Sequence, residues 1–97
     1  MFLIEYTKSA FEDLRFLRRF EQRLIMDTVD RQLATEPLVE TRNRKLLRPN
    51  ELAEWELRIE VFRVFYDVDV LEGVVRVKGI GWKEHNRLLL RGKEMHL

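Results

Sequence analysis

Apolar and charged residues alternate most sharply between residues 55 and 68. Trp55, Leu57 and Ile59 take one parity and Glu56, Arg58 and Glu60 the other, the period of a strand with one buried face. A second run sets Phe62, Val64 and Tyr66 against Arg63, Phe65 and Asp67. A tight reversal at Glu60-Val61 brings Ile59 opposite Phe62, Leu57 opposite Val64 and Trp55 opposite Tyr66, all of them apolar or aromatic pairs. The same register puts Arg58 opposite Arg63 on the other face, with Glu56 opposite Phe65. Facing like charges destabilise a sheet, so two opposed arginines point to a place kept for an anion. Valine disfavours a positive φ, so the register depends on how Glu60-Val61 turns. A slip of one residue would send the two arginines to opposite faces.

Upstream, Phe2 to Tyr6 predicts a short first strand. Ser9-Ala10-Phe11-Glu12 fits a capping box, and Phe11, Leu14, Leu17 and Phe20 follow at helical spacing. Leu24, Ile25, Val29 and Leu33 mark a second amphipathic helix that ends before Pro37. Two such helices in succession predict an antiparallel hairpin. Residues 36–54 show no period and read as a long connection, bounded by Pro37 and Pro49-Asn50. Downstream, Glu72-Gly73 turns into a strand over Val74 to Ile80, and Gly79 and Gly81 relax the backbone ahead of Trp82. The tail, residues 88–97, fits either a short helix or a closing strand. The order β-α-α-β-β-β predicts an α+β fold, with an N-terminal strand and two-helix hairpin packed on an antiparallel sheet. The helices would cover the apolar parity, leaving Arg58, Arg63 and Phe65 on the opposite, more open face.

Composition narrows the class. A chain of 97 residues, 45% hydrophobic and 36% charged, predicts one globular domain over residues 1–97 with a highly charged surface. The absence of cysteine excludes disulfides and thiolate metal sites and suggests a reducing, cytoplasmic setting. The opening MFLIEYTKSAFEDL lacks the cationic and long apolar regions of a signal peptide. No apolar stretch approaches the roughly 20 residues of a membrane helix. Residues 1–41 hold 6 Lys/Arg and 8 Asp/Glu, a balance of −2, whereas residues 42–97 hold 12 and 9, a balance of +3. That asymmetry permits a nucleic-acid-facing half without requiring one. Arg42, Arg44, Lys45 and Arg48 lie in the unpatterned connection, whose spacing alone favours a solvated basic loop over a functional one.

Familiar catalytic signatures are mostly missing. The chain has no phosphate-binding glycine-rich motif, zinc-binding helix or Gly-x-Ser-x-Gly elbow. His85 and His96 lack metal-ligand spacing, so neither a metal nor a cofactor is expected. What remains is Arg58, Arg63, Lys83 and His85, with Glu56 and Glu84 as carboxylates. Such a set can cleave RNA: a base removes the ribose 2′-hydroxyl proton, the oxygen attacks its own phosphate, and an acid protonates the leaving 5′-oxygen. Guanidinium groups hold the phosphate, and histidine suits proton transfer near neutral pH. The same residues also read as an exposed histidine after a strand and as surface ion pairs of Arg58 and Arg63 with Glu56 and Glu60. Trp82 reads as a stacking platform for a base or as a cap on the core.

Over nearly its whole length the chain resembles the RelE/ParE superfamily of type II toxins. The resemblance is carried by Leu46-Leu47-Arg48-Pro49, by Trp55-Glu56-Leu57-Arg58-Ile59 with Phe62-Arg63-Val64-Phe65-Tyr66-Asp67-Val68, and by Gly81-Trp82-Lys83-Glu84-His85-Asn86-Arg87. Arg63-Val64-Phe65-Tyr66 is its most specific piece. In the RNA-cleaving branch the resemblance implies a metal-independent endoribonuclease that cuts mRNA in the ribosomal A site, inhibits translation, and is blocked by a cognate antitoxin. By the same resemblance Arg63 matches the arginine on the scissile phosphate, Lys83 falls near a second catalytic cation, and His85 falls near the base of histidine-containing members. Arg58 matches a basic residue on the preceding strand, and with Arg44, Lys45, Arg48 and Arg87 it makes the expected substrate-binding set. Glu56 stands where RelE has a lysine, and Leu89 where it has a tyrosine, so tyrosine-based chemistry is not expected. Two alternatives stay open: a ParE-like protein ligand of DNA gyrase, and a degenerate toxin that binds its antitoxin without cleaving RNA.

Overall fold

The computed structural model describes residues 1–97. Strand β1 (Leu3–Tyr6) leads into helices α1 (Lys8–Arg15) and α2 (Arg19–Leu33). Six strands follow: β2 (Arg44–Leu46), β3 (Trp55–Ile59), β4 (Phe62–Asp69), β5 (Val74–Glu84), β6 (Arg87–Leu90) and β7 (Lys93–Met95). They form one sheet in the order β2-β3-β4-β5-β6-β7 with antiparallel neighbours, while β1 lies parallel to β5. The architecture is α+β, a helical pair packed on a sheet.

The β3–β4 register is the one the alternation predicts, from Trp55 opposite Tyr66 through Arg58 opposite Arg63 to Ile59 opposite Phe62. Glu60, not Val61, takes the left-handed backbone, at φ 55°. The β-branched residue is therefore spared the conformation it disfavours. On the helix-facing side, Leu57, Val64, Tyr66, Val75 and Val77 are fully buried against Ile25, Val29 and Leu33 of α2. Trp55 stacks on Tyr66, with ring centroids 6.0 Å apart and planes at 18°. The Tyr66 hydroxyl donates to the Pro37 carbonyl at 2.7 Å, which fixes the chain leaving α2 over the sheet.

Helix α1 differs from expectation at both its cap and its face. Thr7, not Ser9, is the N-cap: its backbone is extended and its hydroxyl accepts from the Ala10 amide at 3.1 Å. Ser9 falls inside the helix as a result. Ala10 and Leu14 are buried, while Phe11 and Phe20 point outward at 53% and 64% exposure. A small residue at position 10 lets α1 lie close to β5, and the bulky phenylalanines at 11 and 20 sit off that contact.

The C-terminal half holds more strand than its sequence shows. Residues 44–46 of the unpatterned connection pair with β3 as an edge strand. Strand β5 runs through Gly79 and Gly81 without a break, and Gly81 lies so near the Leu89 carbonyl that a Cβ would collide with it. The tail is two strands, turned at His85-Asn86 (φ 52° and 64°) and at Arg91-Gly92 (φ 53° and 76°). Two consecutive positive φ values match the twist of a two-residue hairpin loop. The second sheet face is not open beneath Phe65, which is fully buried with Ala53, Leu88 and Leu90 and flanked by Leu47, Leu52, Met95 and Leu97. The connection after β2 and the tail thus meet over that face and leave a cleft beside their contact.

Between its pairings with β1 and β6, the outer edge of β5 has no strand over residues 78–81. Side chains fill the gap. The Ile80 amide donates to Asp13 Oδ2 at 3.1 Å, and Arg91 donates through Nε to Asp13 Oδ1 at 2.9 Å and through Nη2 to the Lys78 carbonyl at 3.0 Å. Lys78 is the extra residue of a bulge, since Phe65 pairs Gly79 and Tyr66 pairs Val77. One carboxylate of α1 therefore ties the β6–β7 turn to the middle of the sheet.

Candidate functional site

Strand alternation decides which cations share the cleft. Arg44 faces Leu57 across the β2–β3 ladder and Lys45 faces Glu56, so the two neighbours project to opposite sides. Lys45, Arg58, Arg63 and Lys83 fall on the cleft side, joined by Arg42 and Arg48 from the loops around β2. These six cations face two carboxylates, Glu56 and Glu94, around a space of about 600 Å³. Leu47, Leu88, Met95 and Leu97 form its apolar flank, and His96 and Asn86 complete the wall opposite β2.

Arg63 sits deepest of the cations, with 9% of its side chain exposed. Its Nη1 donates to the carbonyls of Glu60 and Phe62, both at 2.9 Å, folding the side chain back toward the hairpin turn. Its Nε lies 4.0 Å from Glu56 Oε2. Burial weakens the hold of this guanidinium on its proton, Glu56 opposes that shift, and Arg58 adds to it. An arginine titrates so high that it stays charged across the working pH range. Across β4 from Arg58, Arg63 faces Gly81, which offers no side chain and keeps the space above it clear. Arg58 itself is exposed and makes no ion pair, so its charge is free for a ligand.

The structure thus brings together Arg58, Arg63, Lys83, Lys45 and Arg48 of the expected site residues. It separates three others. Arg44 is buried on the helix side, where its Nη1 donates at 2.7 Å to the Gln32 carbonyl in the last turn of α2. That role satisfies an orphan carbonyl where a cation also suits the helix dipole. Arg87 is exposed outside the cleft and donates to Glu94 Oε1 at 3.2 Å. His85 is exposed at the first position of the β5–β6 turn and does not line the cleft. The histidine that does is His96, and nothing in its spacing marks it, because its place depends on two tight turns in the tail. No three His, Cys, Asp or Glu side chains are grouped so as to hold a metal ion.

The arrangement resembles known proteins through its shape. The structure of the toxin–antitoxin complex RelBE2 from Mycobacterium tuberculosis contains a chain that superposes with a TM-score of 0.74 at 22% identity, over 84% of this chain and 91% of that one. The fold is RelE-like. No protein-family sequence model and no curated protein sequence matches the chain. The RelE-like core comprises the helical pair and the sheet that carries Arg58 and Arg63 on its far face. No helix is long and apolar enough to cross a membrane.

Proposed function

We propose that this chain is the toxin of a type II toxin–antitoxin pair and that its cleft cleaves mRNA on the ribosome. The observation carrying this reading is the convergence of Arg58, Arg63 and Lys83 in one concave, cation-rich cleft on a RelE-like sheet. Three cations around one space suit the dianionic charge that builds on a phosphate under attack. Arg63, already held by two carbonyls, loses little freedom when it receives the phosphate. Arg58 and Lys83 supply charge from either side of it. Lys45, Arg48 and Arg42 hold the neighbouring phosphates of the strand.

The reaction balances without an added reagent. A base takes the 2′-hydroxyl proton, O2′ bonds to phosphorus, and the P–O5′ bond breaks as O5′ accepts a proton. The products are a 2′,3′-cyclic phosphate and a 5′-hydroxyl. His96 and the carboxylates Glu56 and Glu94 are groups of the cleft able to carry a proton in this way, and Lys83 stabilises the leaving oxygen. The ribosome aligns the RNA backbone, so a sparse protein site suffices. The antitoxin is the expected protein partner, as in the RelBE2 complex, which is a toxin–antitoxin assembly.

Primer extension on translated mRNA after induction tests the proposal. Cuts within codons that vanish with Arg63→Ala support it. Intact mRNA together with gyrase-linked DNA breaks would replace it with the ParE-like reading, and neither effect would leave a degenerate toxin.

A further inference from the structure

The connection between β2 and β3 is tied together by one side chain that does not itself line the cleft. Asn50 engages both of its amide hydrogens and both oxygen lone pairs within this loop. Its Oδ1 accepts from the Leu52 amide at 2.7 Å and from the Ala53 amide at 3.0 Å. Its Nδ2 donates to the Arg48 carbonyl at 2.7 Å and to the Ala53 carbonyl at 2.9 Å. Two donors beside two acceptors at this reach describe an asparagine alone. An aspartate would set a charge against two carbonyls, and a leucine would make none of the four bonds.

The two arms of the loop are fixed by different means. Downstream, Ala53 is buried with Phe65, Leu52 packs beside it, and the Glu54 amide donates to Asp67 Oδ1 at 2.7 Å. Core packing and the β4 carboxylate therefore anchor this arm independently of Asn50. Upstream, Leu47 packs on the same small core and its amide donates to the Glu54 carbonyl at 2.8 Å. Arg48 and Pro49 are exposed and belong to neither buried cluster. Pro49 confines the residue before it to extended backbone. The bond from Asn50 to the Arg48 carbonyl then fixes the orientation of the Arg48–Pro49 peptide.

The arm fixed in this way carries a cation of the cleft. Arg48 lines the cleft and makes no ion pair. Of the acids around it, Glu56 lies beside Arg63 and Glu94 binds Arg87, while Glu51 and Glu54 of the loop do not line the cleft. We propose, on the reading of the cleft as an RNA site, that Asn50 is a positioning residue that sets Arg48 in advance for a phosphate next to the reacting one. A backbone ordered beforehand spares the RNA an ordering cost on binding.

Affinity of the whole chain for a short single-stranded RNA, 2′-O-methylated throughout so that no 2′-hydroxyl can attack, tests this. Arg48→Ala should weaken binding about ten-fold, the loss of one charged contact. Asn50→Ala should weaken it about five-fold, the cost of ordering one residue's backbone when the RNA binds. The Asn50 substitution is then repeated in two backgrounds. Beside Arg48→Ala it should change affinity by less than about two-fold, whereas beside Lys45→Ala it should again cost about five-fold. A residue that only stabilised the loop would cost the same in both. Equal costs overturn the inference, and so does undiminished affinity in folded Asn50→Ala protein. Where thermal unfolding shows Asn50→Ala to be unfolded, Asn50→Ser takes its place, since a hydroxyl still accepts from the Leu52 and Ala53 amides while releasing the two carbonyls. Arg63→Ala separates the two levels of the reading. If it binds RNA as the parent does, or the parent binds none, the RNA site fails and Asn50's role with it. If it loses binding while the Asn50 costs are equal, only Asn50's role is refuted.

Discussion

Replacing Arg63 by lysine keeps the positive charge of the cleft and removes only the geometry of the guanidinium. Arginine has five N–H donors. The two on Nη1 are spent on the Glu60 and Phe62 carbonyls at 2.9 Å each, and those on Nε and Nη2 remain for Glu56 and a phosphate. A lysine has three donors on one atom and no fork. If its ammonium reaches both carbonyls, a single donor is left, and the bidentate hold on a phosphate is gone. A charged hydrogen bond contributes about 1.5–3 kcal/mol, and loss of one preorganised donor at a developing oxyanion costs about 10²–10³-fold in rate. Arg63→Lys is therefore expected to slow cleavage of ribosome-bound mRNA by at least about 10²-fold. The thermal midpoint should fall by only a few degrees, because an ammonium that reaches both carbonyls keeps the backbone contacts. Single-turnover cleavage on stalled ribosomes, followed with thermal unfolding of the same preparation, reads both quantities. A rate within about threefold of the parent, under 1 kcal/mol, in a folded variant would show that Arg63 acts only as a charge and would refute the fork.

Other outcomes follow from the same structure. His96→Ala should slow cleavage by about 10²-fold or more while His85→Ala leaves it unchanged, and the reverse result in primer extension would return the proton transfer to the β5–β6 turn. Gly81→Ala should destabilise the fold by about 1–3 kcal/mol, since its Cβ would run into the Leu89 carbonyl; an unchanged thermal midpoint would mean that β6 moves away freely. Burial pushes the Tyr66 and Tyr6 hydroxyls well above their ordinary pKa, with Asp30 adding to the shift at Tyr6. Their folded-state values exceed the unfolded value of about 10, so their stabilisation is complete below that pH and is lost as pH rises above it. Tyr66→Phe should flatten this alkaline loss by up to about 1.4 kcal/mol per pH unit and remove the bond to Pro37, which denaturant titrations from pH 9 to 11 would detect.

The hairpin that carries Arg58 and Arg63 could be read from sequence because each residue of β3 meets a partner of matching polarity in β4, and only one register satisfies every pair. Helix α1 was harder. Phe11, Leu14 and Leu17 have good helical spacing, yet Ala10 is buried with Leu14 where α1 lies against β5, while Phe11 is exposed. Short strands of three or four residues, such as β2, β6 and β7, carry too few alternations to register as a period. Their turns use His85-Asn86 and Arg91-Gly92, where only the glycine is a strong signal. The site inherits these gaps. Arg58, Arg63 and Lys83 follow from parity, but His96 requires the tail to reverse twice. Arg44 and Lys45 are adjacent members of one basic run, and only the β2–β3 pairing separates the helix cap from the cleft cation.

The parallel pairing of β1 with β5 has a consequence for the timing of folding. Glu5 meets Arg76 within that pairing, a contact spanning 71 residues of sequence. During synthesis β1 emerges first and must wait, unpaired, until β5 has been made. The cleft waits as well, because Lys83 and the wall around His96 follow later still. A nascent chain that has displayed Arg58 and Arg63 therefore has no finished cleft, and a long-range sheet of this kind closes slowly. The cations of the cleft are in this way brought together only after β5 and the strands that follow it have been made.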